Sequence, residues 1–348
     1  MNILKKLLSL IIVFILLLHT IQRNAYASPS ATQNPVKIGV FLLDTNELFL
    51  SLFKESLENI QKENENKVQF TFFDSKRNQS IQNDNIIKAL NKNFDLFVIE
   101  PVTFKIEELE DILKMIVQRN IPLILLTSPN KKLSNFVKGY PKTIIIGGED
   151  EQSGILQGKV VADVWNPNKK TIDHNKDNIM QYIMLKGPVN DPATTARSKY
   201  CIQALNESGI KTQELSFRFC DWDKECARDA ISSFFLGYND KIEFIIASND
   251  EMALGAVEAL QKYGYNKGDN SKYIPVVGIG GLTEVKELIN QGVIAGTIIQ
   301  DPRDYAIAVY TVGMNLVSGT NPLDGTNYTF ADAGNTIKIP YYPYTNLQ

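Results

Sequence analysis

The sequence predicts an α/β protein of two similar lobes, each built on a doubly wound parallel sheet and joined to the other by a hinge. Three observations predict this fold. Strand-like and helix-like segments alternate from Val36 to Val317, which is typical of parallel strands connected by helices. About 320 residues follow residue 27, too many for one ordinary core but suited to two domains of ~150 residues each. Both halves of the chain share the same alternation.

The predicted strands are short runs rich in β-branched residues. They are Lys37–Leu43, Val68–Asp74, Leu96–Glu100, Pro122–Thr127, Thr143–Gly147, Gln181–Gly187, Phe244–Ser248, Pro275–Ile279 and Gly296–Gln300. Crossovers between such strands are almost always right-handed, and ligand sites lie at the carboxyl ends of the strands. We assign residues 36–145 to an N-terminal lobe, with a return segment near 285–320. Residues 146–284 form a C-terminal lobe, with the C-terminal segment 321–348.

The stretches between these strands have apolar residues three and four positions apart, as amphipathic helices do. One predicted helix face carries Leu48, Leu52 and Leu57, and another carries Ile87 and Leu90.

Two segments depart from the alternation. Residues 165–178 include Asn166-Pro167-Asn168 and many polar side chains that cannot supply a core face, so we predict an exposed loop. Residues 318–348 are rich in Gly, Pro, Asn and Tyr. We expect them to run along the surface and to supply one strand near Ile337–Pro340.

The N-terminus has the pattern of a secretory signal. Lys5 and Lys6 precede an apolar run over residues 7–18, and a small-residue cleavage site follows at residues 25–27. The apolar run is shorter than the ~20 residues that a comfortable membrane crossing needs. We therefore predict that residues 1–27 are a signal peptide, with an uncleaved N-terminal membrane anchor as the alternative. Either form places the protein outside the cytoplasm, in the periplasm or at the cell surface.

The charge balance points away from nucleic acid. Residues 1–27 carry three of the 36 basic side chains and no acid, so the mature chain has 33 basic and 39 acidic side chains, a net charge of −6. Nucleic-acid binding calls for a basic patch, so we predict no nucleic-acid partner.

The cysteines and histidines limit the possible metal and redox chemistry. Cys201, Cys220 and Cys226 form no metal signature and no disulfide framework. After export, Cys220 and Cys226 could form a disulfide; the alternative is three reduced, partly buried thiols. His174 is the one histidine outside the predicted signal, which argues against His-based triads and His-rich metal sites.

No motif for catalysis is present, and the sequence predicts a protein that is not an enzyme. It contains no P-loop and no serine nucleophile elbow, and the glycines at 278, 280 and 281 lack the third glycine of a dinucleotide fingerprint. Asp191 and Asn249 follow predicted strands and precede predicted helices. Such residues line ligand clefts, but they are equally good helix N-caps, and both interpretations stay open.

One loop has the spacing of a calcium site. Oxygen side chains lie at relative positions 1, 3, 5 and 9 of the segment that starts at Asp173, and the backbone carbonyl of Ile179 lies at position 7. Asn178, at position 6, is well suited to positive φ. Position 12 is Met184, which excludes an ordinary EF-hand. From spacing alone, a calcium loop and a solvated polar turn both remain possible.

Several short motifs, in order along the chain, carry a resemblance to a known family. They are Ile38-Gly39-Val40, Asp74-Ser75, Gln82-Asn83-Asp84, SGILQG at 153–158, Leu185-Lys186-Gly187, Ile242-Glu243, Asn249-Asp250, MALGAVEAL at 252–260, Ala295-Gly296-Thr297 and DGTN at 324–327. From about Val36 to Asn346 the chain resembles periplasmic galactose/glucose-binding proteins. These are the type I sugar-binding components of ABC transporters and chemotaxis systems.

This resemblance implies that the loop binds Ca²⁺. Family members close their calcium loop with a distant glutamate, and Glu243 occupies the matching position. The implied ligands are Asp173, Asn175, Asp177, Ile179 through its carbonyl, Gln181 and Glu243. An all-oxygen set with three carboxylates suits Ca²⁺ better than zinc. We expect this ion to hold the loop rigid, with no catalytic role.

The resemblance also implies a sugar site between the lobes. Phe49 and Trp222 match the two aromatic residues that stack on the sugar, one from each lobe. Arg197 and Asn249 match two hydrogen-bonding positions. Together with four substituted positions, the implied sugar-binding residues are Glu47, Phe49, Glu100, Asp191, Arg197, Trp222, Asn249 and Gln300.

The substituted positions leave the exact sugar open. Glu47, Glu100, Asp191 and Gln300 stand where the family has Asp, Asn, His and Asn. Ala193 and Gly280 each replace a sugar-binding Asp. A ligand hydroxyl left without a partner in a dry cleft costs ~1–3 kcal/mol. We therefore expect a galactose- or glucose-like sugar, or a relative with a differently placed or modified hydroxyl.

Two functions fit these predictions. The first is an extracytoplasmic monosaccharide-binding protein, a monomer that delivers sugar to the membrane components of an ABC transporter. The alternative is a membrane-held sugar sensor that signals to a kinase or chemoreceptor.

Overall fold

The computed structural model of the protein describes residues 34–128, 131–331 and 334–346. The predicted signal peptide or anchor lies outside these residues. Within the described ranges, no helix is long and apolar enough to cross a membrane.

Twelve strands and ten α-helices alternate through the described residues. The strands are β1 (Val36–Leu42), β2 (Val68–Asp74), β3 (Leu96–Ile99), β4 (Leu123–Leu126), β5 (Thr143–Gly148), β6 (Ile179–Lys186), β7 (Lys211–Phe219), β8 (Phe244–Ala247), β9 (Val276–Gly280), β10 (Gly296–Ile299), β11 (Thr336–Ile339) and β12 (Tyr342–Thr345). The helices are α1 (Leu48–Glu63), α2 (Gln79–Leu90), α3 (Ile106–Gln118), α4 (Lys131–Val137), α5 (Asp150–Ile172), α6 (Pro192–Glu207), α7 (Lys224–Tyr238), α8 (Asp250–Lys262), α9 (Thr283–Asn290) and α10 (Pro302–Ser318).

The first lobe is built on a parallel sheet in the order β11-β5-β4-β3-β1-β2. One face packs against α1 and α10, and the other against α2, α3 and α4. Helices on both faces explain why strands such as Leu123–Leu126 are continuous apolar runs.

The second lobe repeats this arrangement in the order β12-β10-β9-β8-β6-β7. Helices α5 and α6 cover one face and α7, α8 and α9 the other. Its strands are parallel except β12, which is antiparallel to β10. Counted within each lobe, the strand order is the same, and the predicted fold class of two doubly wound parallel-sheet lobes is confirmed.

The chain passes between the lobes three times. The crossovers lie between β5 and α5, between β10 and α10, and between β11 and β12. Three short parallel connections constrain the lobes to move about one hinge.

The predicted lobe boundaries differ from the sheets in two places. Within the return segment near 285–320, only α10 packs on the first lobe, whereas α9 and β10 belong to the second. The C-terminal segment 321–348 was assigned to the second lobe, but its strand β11 pairs with β5 in the first. Strand β12, which was not predicted, completes the second sheet. Strands β11 and β12 belong to different lobes because the chain crosses the hinge between them.

The predicted exposed loop over residues 165–178 is wrong in its first half. Helix α5 continues to Ile172 and includes Pro167, and Trp165 is 1% exposed. Trp165 and Ile172 pack into the second-lobe core, so burial outweighs the hydrogen bond that the proline cannot donate. The side-chain amide of Asn168 donates to the carbonyl of Val164 at 2.9 Å within the same turn.

Each predicted helix face is correct in part. On α1 Leu57 is buried as predicted, together with Leu50 and Phe53. On α2 Leu90 is buried as predicted, but Ile86 is buried in place of Ile87, which is 42% exposed.

Candidate functional site

A cavity of about 230 Å³ lies between the two lobes. This volume is just below the ~300–1,000 Å³ typical of sites for drug-sized ligands, and it suits a molecule of one ring. All eight residues predicted to bind sugar line the cavity: Glu47, Phe49, Glu100, Asp191, Arg197, Trp222, Asn249 and Gln300. The carboxyl ends of the parallel strands lead into it, as expected for this sheet topology.

The first lobe contributes two partly buried glutamates. Glu47 is the N-cap of α1, where its carboxylate accepts hydrogen bonds from the backbone N–H groups of Phe49 and Leu50 at 3.2 and 3.1 Å. Glu100 follows β3 and accepts from the backbone N–H of Leu43 at 3.0 Å. Burial raises the pKa of Glu47 to about 7 and that of Glu100 to about 8, since desolvation disfavours a carboxylate.

Asp191 and Asn249 serve both roles that the sequence left open. Asp191 caps α6 by accepting from the N–H of Ala193 at 2.8 Å, and Asn249 caps α8 by accepting from the N–H of Met252 at 2.9 Å. Both also line the cavity. Burial raises the pKa of Asp191 to about 6.

Trp222 is held by a tight loop after β7. Asp221 and Trp222 both have positive φ, 51° and 68°, a conformation that L-residues other than Asn, Asp and Gly rarely adopt. A disulfide between Cys220 and Cys226 brackets the loop, with Cα atoms 5.3 Å apart. The structure thus resolves the alternatives for these cysteines. The amide of Asn249 donates to the Trp222 carbonyl at 3.1 Å.

The indole of Trp222 lies directly on the backbone at Gly187. A Cβ at residue 187 would approach the ring to 2.2 Å, so only glycine permits the ring to rest there. On the other side of the cavity, Phe49 packs edge-on against Tyr305, with ring centroids 5.3 Å apart.

Arg197 is the centre of a buried hydrogen-bond network. Its side chain is 4% exposed, and it donates to the Ser248 carbonyl at 2.8 Å, to Gln300 at 3.0 Å and to the Tyr341 hydroxyl at 3.1 Å. It also lies 3.5 Å from the carboxylate of Asp150. The guanidinium centre lies 5.4 Å from the centroid of the Trp222 ring, which is a cation–π distance.

This network extends over all three hinge crossovers. The Tyr341 hydroxyl donates to Asp150 at 3.0 Å and lies 3.3 Å from the Tyr305 hydroxyl. Gln300 donates to Tyr305 at 3.2 Å, and Ser128 also donates to Asp150. The hinge therefore consists of polar side chains that contact the cavity.

Sequence reasoning missed several residues that line the cavity. Asp150, Tyr305 and Tyr341 lie on different crossovers, and nothing in their local sequence indicates that they meet. Asp250 is 1% exposed, and it accepts from the Thr297 hydroxyl at 2.6 Å and from the N–H groups of Gly281 and Leu282. Because Asp250 directly follows Asn249, which the sequence placed at the cleft, its position in the sequence indicates that it lies there too.

Two contacts connect the lobes across the mouth of the cleft. Arg77 of the first lobe pairs with Asp44 at 2.9 Å and donates to the carbonyl of Asp221 in the second lobe at 3.1 Å. Glu251, at the start of α8 in the second lobe, faces the backbone N–H of Leu48 in the first, which acts to lower the pKa of the Glu251 carboxyl against the effect of burial. The cleft is closed far enough for these contacts to form.

The predicted calcium loop lies at the far end of β6, away from the cavity. Its backbone has positive φ at Lys176 and at Asn178, the latter as predicted. Asp173 is 5% exposed and accepts from the N–H of Asn178 at 3.0 Å. Glu243 accepts from the N–H groups of His174 and Gln181 at 2.9 and 3.0 Å.

The donor set fits Ca²⁺ in part. Asp173 Oδ1 and Gln181 Oε1 are buried with no hydrogen-bond partner among the described residues, which is unusual unless an ion or water satisfies them. However, the side-chain amides of Asn175 and Gln181 donate to Asp177. Within the described ranges, no three His, Cys, Asp or Glu side chains are grouped to hold a metal ion. Calcium would have to replace those amide hydrogen bonds.

The chain is similar to known binding proteins in sequence and in structure. Residues 38–321 match the model of the periplasmic binding protein domain. The D-galactose/methyl-galactoside binding periplasmic protein MglB of Haemophilus influenzae is 31% identical over 307 residues, 88% of each chain. These descriptions name binding proteins and no catalytic activity.

Solved structures show the same fold at lower identity. A solute binding protein of an ABC transporter from Bacillus halodurans, with bound myo-inositol, has a TM-score of 0.71 at 21% identity. The matched region covers 91% of this chain and 96% of the other protein. A second, from Actinobacillus succinogenes with bound D-allose, has a TM-score of 0.73 at 17% identity, covering 90% and 98%. The domain match over most of the chain and the relative at 31% identity show that this chain belongs to the periplasmic binding protein family.

Proposed function

We propose that this protein is an exported binding protein that captures a single pyranose between its lobes and delivers it to the membrane components of an ABC transporter. Its relatives include a galactose-binding protein, so a galactose- or glucose-like ring is the ligand class to test first. One observation carries the proposal: the eight predicted sugar-binding residues, drawn from both lobes, line one cavity.

The chemistry of the lining supports a polyol with apolar faces. Phe49 and Trp222 offer aromatic surfaces, which cover the C–H faces of a sugar ring. Glu47, Glu100 and Asp191 offer acceptors for hydroxyl donors. Arg197 and Gln300 also line the cavity and offer donors for ligand oxygens.

The hinge supports capture by closure. Ligand contacts on both lobes favour the closed arrangement, and the hydrogen bond from Arg77 to the Asp221 carbonyl spans the cleft in it. A transporter can then distinguish loaded from empty protein by the relative position of the lobes.

Titration calorimetry with a panel of monosaccharides tests the proposal. We expect saturable binding of a pyranose, accompanied by a change in the fluorescence of Trp222. Trp165 is fully buried in α5, and Trp165→Phe removes its background signal. If no monosaccharide produces heat or a fluorescence change while a non-sugar solute does, the proposal is wrong.

We propose further that the loop of Asp173, Asn175, Asp177, Ile179 and Gln181, with Glu243, binds one Ca²⁺. The two buried, unpartnered oxygens of Asp173 and Gln181 support this. Burial raises the pKa of Glu243 to about 7, and the charges of Asp173 and Asp177 act in the same direction. A divalent cation would offset this repulsion. The loop lies away from the cavity, so the ion would stabilise the fold rather than contact the sugar.

Thermal unfolding of metal-stripped protein tests calcium binding. Added calcium should raise the free energy of unfolding by about 2.7 kcal/mol when free calcium is about a hundred times the dissociation constant. Asp173→Asn should abolish this increment. Asp269→Asn, in a polar turn where Asp269 accepts from Ser271, is the matched control and should retain it. An unchanged melting temperature of wild-type protein on calcium addition would exclude the site.

A further inference from the structure

The cavity lining contains far more acidic than basic side chains. Six carboxylates line it: Glu47, Glu100, Asp150, Asp191, Asp250 and Glu251. Arg197 is the one cationic side chain among the described residues of the lining. A site for a neutral sugar uses carboxylates as acceptors, but a carboxylate that is left charged and without a cationic partner in a partly dry cleft carries a desolvation cost.

Two of the six carboxylates are already compensated. Asp150 accepts from Tyr341 and Ser128 and lies beside Arg197. Asp250 accepts from Thr297 and from two backbone N–H groups.

The other four have weaker compensation. Among the described residues, Glu47, Glu100 and Asp191 accept only from backbone N–H groups at helix ends or loops. The backbone N–H of Leu48 acts on Glu251. Arg197 directs its donors to the Ser248 carbonyl, Gln300 and Tyr341. No lysine, arginine or histidine of the described lining donates to any of the four.

These four carboxylates influence one another. Behind burial, the charges of Glu47 and Asp191 raise the pKa of Glu100, and the charge of Glu251 raises that of Glu47. Arg77, at the rim, acts in the opposite direction on Glu47, Glu100 and Glu251, but its own hydrogen bonds go to Asp44 and the Asp221 carbonyl. All four line the same cavity between the lobes.

We propose that the natural ligand is a pyranose that carries a protonated amine, an amino sugar, whose ammonium group lies among Glu47, Glu100, Asp191 and Glu251. This proposal rests on the proposed function and specifies its substrate class. An ammonium has three donors and no acceptor, so it pairs with several carboxylates at once, as no hydroxyl does. The ring then lies between Phe49 and Trp222, and the remaining hydroxyls face Arg197 and Gln300.

Calorimetry at pH 7 with three series of sugars tests this proposal. The series are glucosamine, galactosamine and mannosamine, their parent hexoses, and their N-acetyl derivatives, in which the amine is neutral. At least one amino sugar should bind about tenfold or more tightly than its parent. The N-acetyl derivative should bind no tighter than the parent. This comparison uses wild-type protein and does not depend on the folding of a variant.

Charge-neutralising variants locate the ammonium group. Glu100→Gln and Glu47→Gln should each reduce the ratio of amino-sugar to hexose affinity by about tenfold. Glu110→Gln is the matched control, because Glu110 is an exposed glutamate of α3 that pairs with Lys114 outside the cleft. It should leave the ratio unchanged.

The outcomes separate this inference from the proposed function. If parent hexoses bind as tightly as their amino derivatives or more tightly, the ammonium assignment is overturned while monosaccharide capture stands. If no sugar of the three series binds, both proposals are wrong. An amino-sugar preference that survives both cleft variants also overturns the assignment, because the charge recognised would lie elsewhere.

Discussion

The two lobes present different kinds of polar side chain to one cleft. On the first lobe, Glu47 and Glu100 are held only by backbone N–H groups. On the second lobe, Arg197 donates to two side chains and a backbone carbonyl, and Asn249 joins a helix end to the Trp222 loop. The sheets have the same strand order, so the difference arises from the loops at the carboxyl ends of the strands.

This difference indicates that the two lobes have different roles in the cleft. A side chain with several fixed partners is pre-organised and holds one geometry, whereas a carboxylate on a backbone cap supplies charge with less constraint. The second lobe and the hinge therefore set the geometry of the cleft, and the first lobe supplies two of its four weakly compensated carboxylates, Glu47 and Glu100.

Removing the centre of the second-lobe network should have the largest effect. Arg197→Ala removes the buried donor of Gln300 and the Ser248 carbonyl and the cation beside Asp150, so we expect a loss of about 3–5 kcal/mol in the free energy of unfolding. Sugar binding should be lost as well. Urea denaturation measures the first effect and calorimetry the second.

An exposed arginine is the matched control for this change. Arg228 pairs with Glu225 on the surface of the same lobe, and Arg228→Ala should alter stability little, because surface pairs are screened by solvent. Equal destabilisation by the two substitutions would show that the network at Arg197 does not organise the hinge.

The two aromatic walls of the cleft allow a direct comparison of the lobes. Trp222→Ala should weaken sugar binding by about 2 kcal/mol or more, as expected for a buried aromatic anchor. Phe49→Ala should cost less, because Phe49 presents a smaller ring and packs partly against Tyr305. Dissociation constants from calorimetry measure both losses. A larger loss for Phe49→Ala would reverse the roles assigned to the two lobes.

Strands were the part of the fold that the sequence predicted best. Buried parallel strands are continuous β-branched runs, and β2 matches its predicted bounds. Strand β7 was missed because it is an edge strand with mostly exposed and polar residues. The sequence predicts too early an end for helix α5, because Pro167 suggests a break. The burial of Trp165 keeps this segment helical, and such packing is a tertiary effect that local sequence does not reveal.

The cleft residues could be located through resemblance, but the hinge could not. Asp150 and Tyr341 are 191 positions apart and share a hydrogen bond, and no local pattern connects them. The sequence predicted where a residue lies better than it predicted its hydrogen-bond partner. Asn249 lies at the cavity as expected, yet its side-chain amide donates to the backbone carbonyl of Trp222.

The last comparison concerns pH and the two glutamates that the first lobe presents to the cleft, Glu47 and Glu100. Glu100 has an ordinary pKa of 4.5 that burial raises to about 8 in the folded protein, with Glu47 and Asp191 adding to the rise and Arg77 opposing it. Between these values the folded state binds more protons than the unfolded state. Stability of the ligand-free protein should therefore fall as pH rises from 5 to 8.

Glu100→Gln isolates this contribution. At pH 5 the protonated acid and the amide are alike in charge and shape, so the variant and wild type should melt at similar temperatures. At pH 8 the variant carries no buried charge and should melt at the higher temperature of the two. Carboxylates with lowered pKa, such as Asp44, act in the opposite direction, but below pH 5, outside this window. Melting curves of wild type, Glu100→Gln and Glu110→Gln at both pH values measure the effect. If Glu100→Gln has the same melting temperature as the control Glu110→Gln at both pH values, burial in the cleft does not raise the pKa of Glu100.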